Sequence, residues 1–261
     1  MQTPASSQLA PSQRELFQLT LRLADDALVL GHRLSEWSGH GPMLEEDIAL
    51  SNLGLDLIGQ ARMFYDVAGA AEGRGRDEDE LAYFRDAGAY RNIQLVELPN
   101  GDFARTMLRQ FFYSAFMQPY FAALEKSPEP RLSDIGAKAV KEMAYHVRHS
   151  AEWVIRLGDG TDESRRRMIT ALDDLWGFTG ELFEVPDDER ALVDAGIAPD
   201  RAALKPTWDA HVARVLREAT LDVPKPRGMQ TGGRSGRHTE YLGKMLAEMQ
   251  VLARAHPGVK W

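Results

Sequence analysis

Hydrophobic residues recur at steps of three and four along most of the chain, the spacing that places them on one face of an α-helix. Four long segments show this pattern, and glycine, proline or acidic residues bound them. They cover residues 12–37, 45–71, 103–126 and 132–157. Four long helices joined by short connections are typical of an antiparallel bundle.

The remaining periodic segments predict shorter helices over 81–90, 161–183, 188–195, 199–219 and 238–255. No segment alternates apolar and polar residues as a sheet strand does. The prediction is an all-α protein, an antiparallel four-helix bundle with additional C-terminal helices. In helix 199–219, Trp208, Val212 and Val215 are expected to point inward. The last helix has an apolar face that needs a surface to lie on, formed by Leu242, Met245, Leu246, Met249 and Leu252.

Neither an internal repeat nor a low-complexity linker divides the chain. We therefore predict a flexible tail over residues 1–12 and one domain over 13–261. This domain includes a C-terminal arm, 223–261, that begins with a stretch rich in proline, glycine and basic residues.

Composition excludes several classes of function. The 261 residues carry 31 Lys and Arg against 39 Asp and Glu, and the formal net charge of −8 argues against a nucleic-acid or acidic-membrane partner. The absence of cysteine excludes disulfides, iron–sulfur clusters and thiolate chemistry. The N-terminus lacks the basic start and apolar run of a signal peptide or membrane anchor. These features predict a cytoplasmic protein.

The strongest chemical candidate lies in residues 137–153. Glu142, Tyr145, His146 and His149 share one stripe of the predicted helix. Di-metal proteins built on four-helix bundles take a Glu from each of two helices and Glu-x-x-His from each of the other two. Here the residue three places after Glu142 is a tyrosine, and the histidine follows one place later.

A count of candidate ligands helix by helix predicts that the metal centre has been lost. The second helix offers Asp56 without a following histidine, and the third has no carboxylate between Asp102 and Glu125. One helix in four cannot surround two metal ions. We therefore predict a metal-free cluster of Glu142, Tyr145 and His146 at the bundle centre, and a paired or partner-facing carboxylate at Asp56.

The segment 231–238 forms a second candidate site. Its glycines and basic residues precede a predicted helix N-terminus, where amide donors and cations can bind a phosphate or carboxylate. It lacks the spacing of a P-loop. The alternative is a mobile basic linker, or a loop that a partner orders.

Several unusual blocks resemble the PaaC family, which forms one of the subunits of phenylacetyl-CoA epoxidase complexes of aerobic phenylacetate degradation. The resemblance covers nearly the whole chain after the first dozen residues. The blocks are LVLGHRLSEWSGHGP from Leu28, EEDIALSNLGLDLIGQAR from Glu45, VELPNGDFA from Val96, residues 138–146, RLGDGTDES from Arg156 and TGGRSGRHTEYLGKMLAEMQ from Thr231.

The resemblance implies a ferritin-like fold and a structural subunit with no catalytic residues and no cofactor of its own. A sister subunit of the same fold would hold the di-iron centre and pair with this chain, and a separate reductase would supply electrons. Two alternatives stay open. In the first, the chain is itself a di-metal oxygenase that uses Asp56, Glu142, His146 and His149. In the second, it is an adaptor that also contacts coenzyme A. The adaptor's contacts would be Arg234, Arg237 and His238.

Overall fold

A computed structural model describes residues 11–225 and 228–259, and within these residues the chain forms helices and no β-strand. The all-α prediction is confirmed. The helices are α1 (Pro11–Ser35), α2 (Leu44–Glu72), α3 (Glu78–Tyr83), α4 (Gln94–Glu97), α5 (Phe103–Leu124), α6 (Pro130–Gly158), α7 (Asp162–Trp176), α8 (Arg190–Asp194), α9 (Lys205–Glu218) and α10 (Glu240–Ala255).

The four long helices form the bundle as two tightly packed pairs, α1 with α2 and α5 with α6. Two glycines allow the close approach of the first pair. A Cβ atom on Gly31 would lie 3.2 Å from the carbonyl oxygen of Gly54, and one on Gly54 would lie 3.3 Å from the carbonyl oxygen of Gly31. The pairs meet over a continuous buried core, and the arrangement is that of a ferritin-like bundle.

The C-terminal helices cover the bundle. Helices α7 and α9 pack on α5 and α6, and the indole of the buried Trp208 donates a hydrogen bond to the carbonyl oxygen of Phe112 at 3.0 Å. Val212 and Val215 are buried with Trp208, as predicted. The predicted helix 161–183 is shorter, since α7 ends at Trp176 and a separate 3-10 turn covers Gly180–Phe183.

Helix α10 packs against α3, with Leu242, Met245 and Leu246 buried and Met249 partly buried. Leu252, predicted on the same face of this helix, is 53% exposed and does not share the burial. None of the helices in the described ranges is long and apolar enough to span a membrane. Of the tail predicted for residues 1–12, residues 1–10 lie outside the described residues, and α1 begins at Pro11.

Candidate functional site

Helices α2, α5 and α6 bring five polar side chains together, of which three are fully buried and two, Asp56 and Glu142, are partly exposed. We call Asp56, Gln60, Gln110, Glu142 and His146 the bundle-centre cluster. Gln60 donates from Nε2 to Glu142 Oε2 at 2.8 Å. The imidazole of His146 lies between the other two, with Nε2 3.2 Å from Asp56 Oδ2 and Nδ1 3.1 Å from Gln110 Nε2. Gln60, Gln110 and His146 are fully buried.

These contacts define one hydrogen-bonding pattern for the neutral imidazole of His146. The amide nitrogen of Gln110 can only donate, so Nδ1 accepts and the ring hydrogen lies on Nε2. Nε2 then donates to the carboxylate of Asp56. The imidazole therefore ties α6 to both α2 and α5.

The donor set of this cluster does not suit two metal ions. Helix α5 contributes the amide of Gln110 where a bundle-type centre needs a carboxylate. In α1, Asp25 and Asp26 bond to other parts of the chain. Across the described ranges, no group of three His, Asp or Glu side chains is arranged to hold a metal ion.

The structure separates Tyr145 and His149 from the cluster. Tyr145 is 39% exposed and stacks on the His149 ring with centroids 5.8 Å apart. His149 bonds through Nε2 to Glu46 Oε2 at 2.8 Å. The predicted grouping of Tyr145 with Glu142 and His146 is therefore wrong. One helical step of about 100° turns position 145 from the buried face of α6 towards solvent.

The second candidate, the glycine-rich loop of residues 231–238, is tied into the protein by its basic residues. Arg234 is buried and its guanidinium donates to Asp26 Oδ2 at 2.7 Å and to the carbonyl oxygen of Arg91 at 3.0 Å. His238 bonds through Nδ1 to Glu97 Oε2 at 2.7 Å and through Nε2 to the carbonyl oxygen of Tyr90 at 3.0 Å. Arg237 is exposed.

The loop's amide donors already bind an anion, which is the protein's own Glu181. The backbone N–H groups of Gly232 and Gly233 each donate to Glu181 Oε1 at 2.7 Å, and that of Gln94 donates to Oε2 at 2.7 Å. A Cβ atom at position 233 would lie 2.2 Å from the carbonyl oxygen of Asn92. Gly233 is therefore explained by close packing against the segment before α4, without a bound phosphate.

Electrostatics around the loop reflect this burial. Burial raises the pKa of Asp26 and of Glu181, against the opposing charge of Arg234. Burial alone would lower the pKa of His238, but the hydrogen bond and charge of Glu97 outweigh it and raise the pKa. This geometry does not favour coenzyme A binding through Arg234 or His238, because both already bond to internal carboxylates. Coenzyme A binding itself stays a prediction.

Sequence reasoning missed the acidic partners of the loop. Asp26, Glu97 and Glu181 are at most 1% exposed and lie 51 to 208 positions from the loop residues they meet, so no local pattern connects them. The sequence offered one indication of a buried acidic group, namely the adjacent acids Asp25 and Asp26 on a helix whose neighbouring turns are apolar. Such buried charges require partners.

The helical architecture and the polar bundle centre define the class as a ferritin-like protein. Comparison with known proteins then gives the family. A family model named PaaA_PaaC and described as phenylacetic acid catabolic protein matches residues 1–261. The chain is also 50% identical over 247 residues to the C subunit of the 1,2-phenylacetyl-CoA epoxidase of Escherichia coli (strain K12). That alignment covers 95% of this chain and 99% of the relative. The chain belongs to the PaaA_PaaC family, and the resemblance seen in its sequence blocks is confirmed.

Proposed function

We propose that this chain is a non-catalytic structural subunit of a multicomponent phenylacetyl-CoA epoxidase in aerobic phenylacetate catabolism. It pairs in the cytoplasm with a di-iron catalytic subunit of the same fold, and other subunits and a reductase complete the enzyme. The name of the 50% identical relative, which is itself a subunit of such an epoxidase, supports a role in this complex.

The observation that carries the non-catalytic role is the chemistry of the bundle-centre cluster. Where a di-metal centre would draw carboxylates and imidazoles from four helices, α5 supplies Gln110, and Gln60 on α2 donates to Glu142. Amide nitrogen donors bond to the remaining imidazole and to one of the carboxylates. The cluster therefore supports helix packing and not oxygen activation.

A structural subunit of this kind contributes rigidity. The catalytic subunit must hold its metal ligands to a fraction of an ångström, and docking a second, well-packed bundle provides a supporting shell. The di-iron centre of the catalytic subunit would supply the oxygen chemistry. This chain's own contribution is to keep its partner's helices in place.

Co-purification tests the proposal. The chain and the catalytic subunit should form a stable complex, and epoxidation of phenylacetyl-CoA should fall when this chain is omitted. Iron should follow the catalytic subunit, and Glu142→Gln in this chain should leave the iron content of the complex and its activity unchanged. About two irons bound by the isolated chain, and lost in Glu142→Gln, would instead support a di-metal oxygenase.

A further inference from the structure

The outer face of α2 exposes an apolar stripe that nothing in the described ranges covers. Leu44, Ile48 and Leu55 are 72%, 53% and 66% exposed. With Gly59 they fall within an arc of about 60° on the helix, since successive residues are rotated by about 100°. We call these four residues the α2 stripe. Exposed apolar residues grouped in this way are typical of interaction sites, whereas scattered ones need no explanation.

Gly59 is the second observation, because nothing in the part of the chain that the structure describes requires a glycine there. A Cβ atom at position 59 would have no heavy atom within 4 Å. Glycine in the interior of a helix nevertheless destabilises it relative to alanine. Five positions earlier in the same helix, Gly54 lets α1 approach closely. Gly59 would allow a helix of another chain to approach α2 equally closely from the solvent side, at the end of the α2 stripe.

Asp56 defines the charge that a partner must meet. It lies beside the stripe on the side facing α6. Its side chain is 38% exposed, and its carboxylate bonds to the buried His146. A docked helix would remove this remaining water, so it must offer a hydrogen-bond donor or a cation in return.

A second copy of the chain fits this surface poorly. A two-fold pairing through the stripe would bring both Asp56 carboxylates into one poorly hydrated interface, where like charges repel. The nearest cation on the stripe's arc, Arg62, already bonds to Glu78 Oε1 at 3.0 Å. The surface suits a different chain.

We propose that the α2 stripe, with Asp56 at its edge, is the binding site for an apolar helix of the catalytic subunit. That helix carries a lysine or arginine opposite Asp56. The backbone of that helix crosses close to Gly59. This inference rests on the proposed function, and it adds the surface, the crossing point and the charge of the partner.

Binding of the purified catalytic subunit to variants of this chain tests the location. Leu55→Arg should weaken the pair at least about 30-fold, the effect of losing a central interface contact. Val251→Arg is the matched control, because Val251 is 62% exposed on a different helix, α10. It should change the affinity less than about threefold. Circular dichroism of the isolated variants should show unchanged helix content, since both side chains are exposed.

Gly59→Ala separates folding from binding, because its two effects have opposite signs. The isolated chain should gain about 2–4 °C in Tm from the better helix former, whereas the pair should weaken by about tenfold because the added methyl group obstructs the close crossing. Gly243→Ala on α10 is the control, since a Cβ atom there also meets nothing within 4 Å. It should not weaken the pair.

The outcomes distinguish this inference from the proposed function. Failure of the unaltered chain to bind the catalytic subunit would overturn both. Normal binding by Leu55→Arg and Gly59→Ala would overturn the α2 stripe alone and leave the structural role in place. A homodimer of the isolated chain that Leu55→Arg dissociates would overturn the choice of partner.

Discussion

The bundle-centre cluster and the glycine-rich loop are both polar, but the structure uses them in different ways. In the cluster, the buried amide oxygens of Gln60 and Gln110 have no hydrogen-bond partner among the residues that the structure describes, and Asp56 remains partly exposed. In the loop, Arg234 and His238 pair with the buried carboxylates of Asp26 and Glu97, although Nε of Arg234 has no hydrogen-bond partner among the described residues. The region that resembles an active site is thus loosely bonded, and the region that resembles an anion site is bonded tightly within the protein.

The comparison teaches that basic residues next to glycines do not by themselves indicate a ligand. Gly232 and Gly233 leave two amide donors pointing at one spot, and Glu181 occupies it. The same geometry in another protein would bind a phosphate. Whether such a loop binds a ligand or fastens an arm depends on whether the chain supplies its own carboxylate.

Arg234→Ala should show the largest effect on stability. It leaves Asp26 buried without its ion-pair partner, and breaking a buried pair in this way costs about 3–5 kcal/mol. Urea denaturation of the isolated chain measures the loss. Arg237→Ala, in the same loop but exposed, should cost less than about 0.5 kcal/mol. Equal effects of the two variants would remove the distinction between a fastening loop and a binding loop.

Gly233→Ala should have the next largest effect, because the added methyl group would collide with the carbonyl oxygen of Asn92. Displacing the loop to relieve such overpacking costs about 1–3 kcal/mol, measurable in the same denaturation experiment. Gly228→Ala serves as the control, since a Cβ atom there has open space around it. A neutral Gly233→Ala would mean that the loop is free to shift and that its tight contacts are not needed.

The pH dependence of stability tests the bond between His238 and Glu97. The pKa of His238 is raised in the folded chain, so the proton is bound more tightly there than in the unfolded chain. The resulting stabilisation is complete below the unfolded value, near 6.5, and is lost as the pH rises through the folded pKa.

We therefore expect the free energy of unfolding to fall between pH 6 and pH 9 because of this residue. His238→Gln keeps a hydrogen-bond donor without a titrating group, so its stability should change less over the same interval. Identical pH profiles for the two proteins would show that Glu97 does not hold the proton on His238.

Sequence periodicity was sufficient to predict the four bundle helices, because each long helix buries one apolar face and repeats it for several turns. The predicted segment 132–157 and the observed α6, Pro130–Gly158, differ by two residues at most at either end. The short helices were less accurate. Residues 81–90 split into α3 and a 3-10 turn at Ala87–Ala89, since Arg85 bonds to the carbonyl oxygens of Leu81 and Ala89 and to Asp25.

The bundle centre was predictable only in part. Stripe spacing identified Glu142 and His146, and the ligand count identified Asp56, because each test uses one helix at a time. Gln60 and Gln110 were missed as members of the cluster, since amides have no metal-site signature and the sequence does not give the rotation of α5 relative to α6. Neither interpretation of the loop, an anion site or a linker that a partner orders, included its bonds to Asp26, Glu97 and Glu181, for a related reason. Its partners come from α1, α4 and the turn after α7, which only the folded chain brings together.

Asp56→Asn should have the smallest effect on the isolated chain, within about 1 kcal/mol. Asparagine keeps an oxygen that accepts from His146 Nε2, and water reaches the 38% of the side chain that is exposed. Urea denaturation of Asp56→Asn and of Asp26→Asn in parallel compares the two regions directly, because Asp26→Asn removes the buried charge that pairs with Arg234. A loss above about 2 kcal/mol for Asp56→Asn would mean that the bundle centre depends on a fixed negative charge, as the loop does. In that case only the amides of the cluster would be loosely bonded, and the carboxylate of Asp56 would be a required partner of His146.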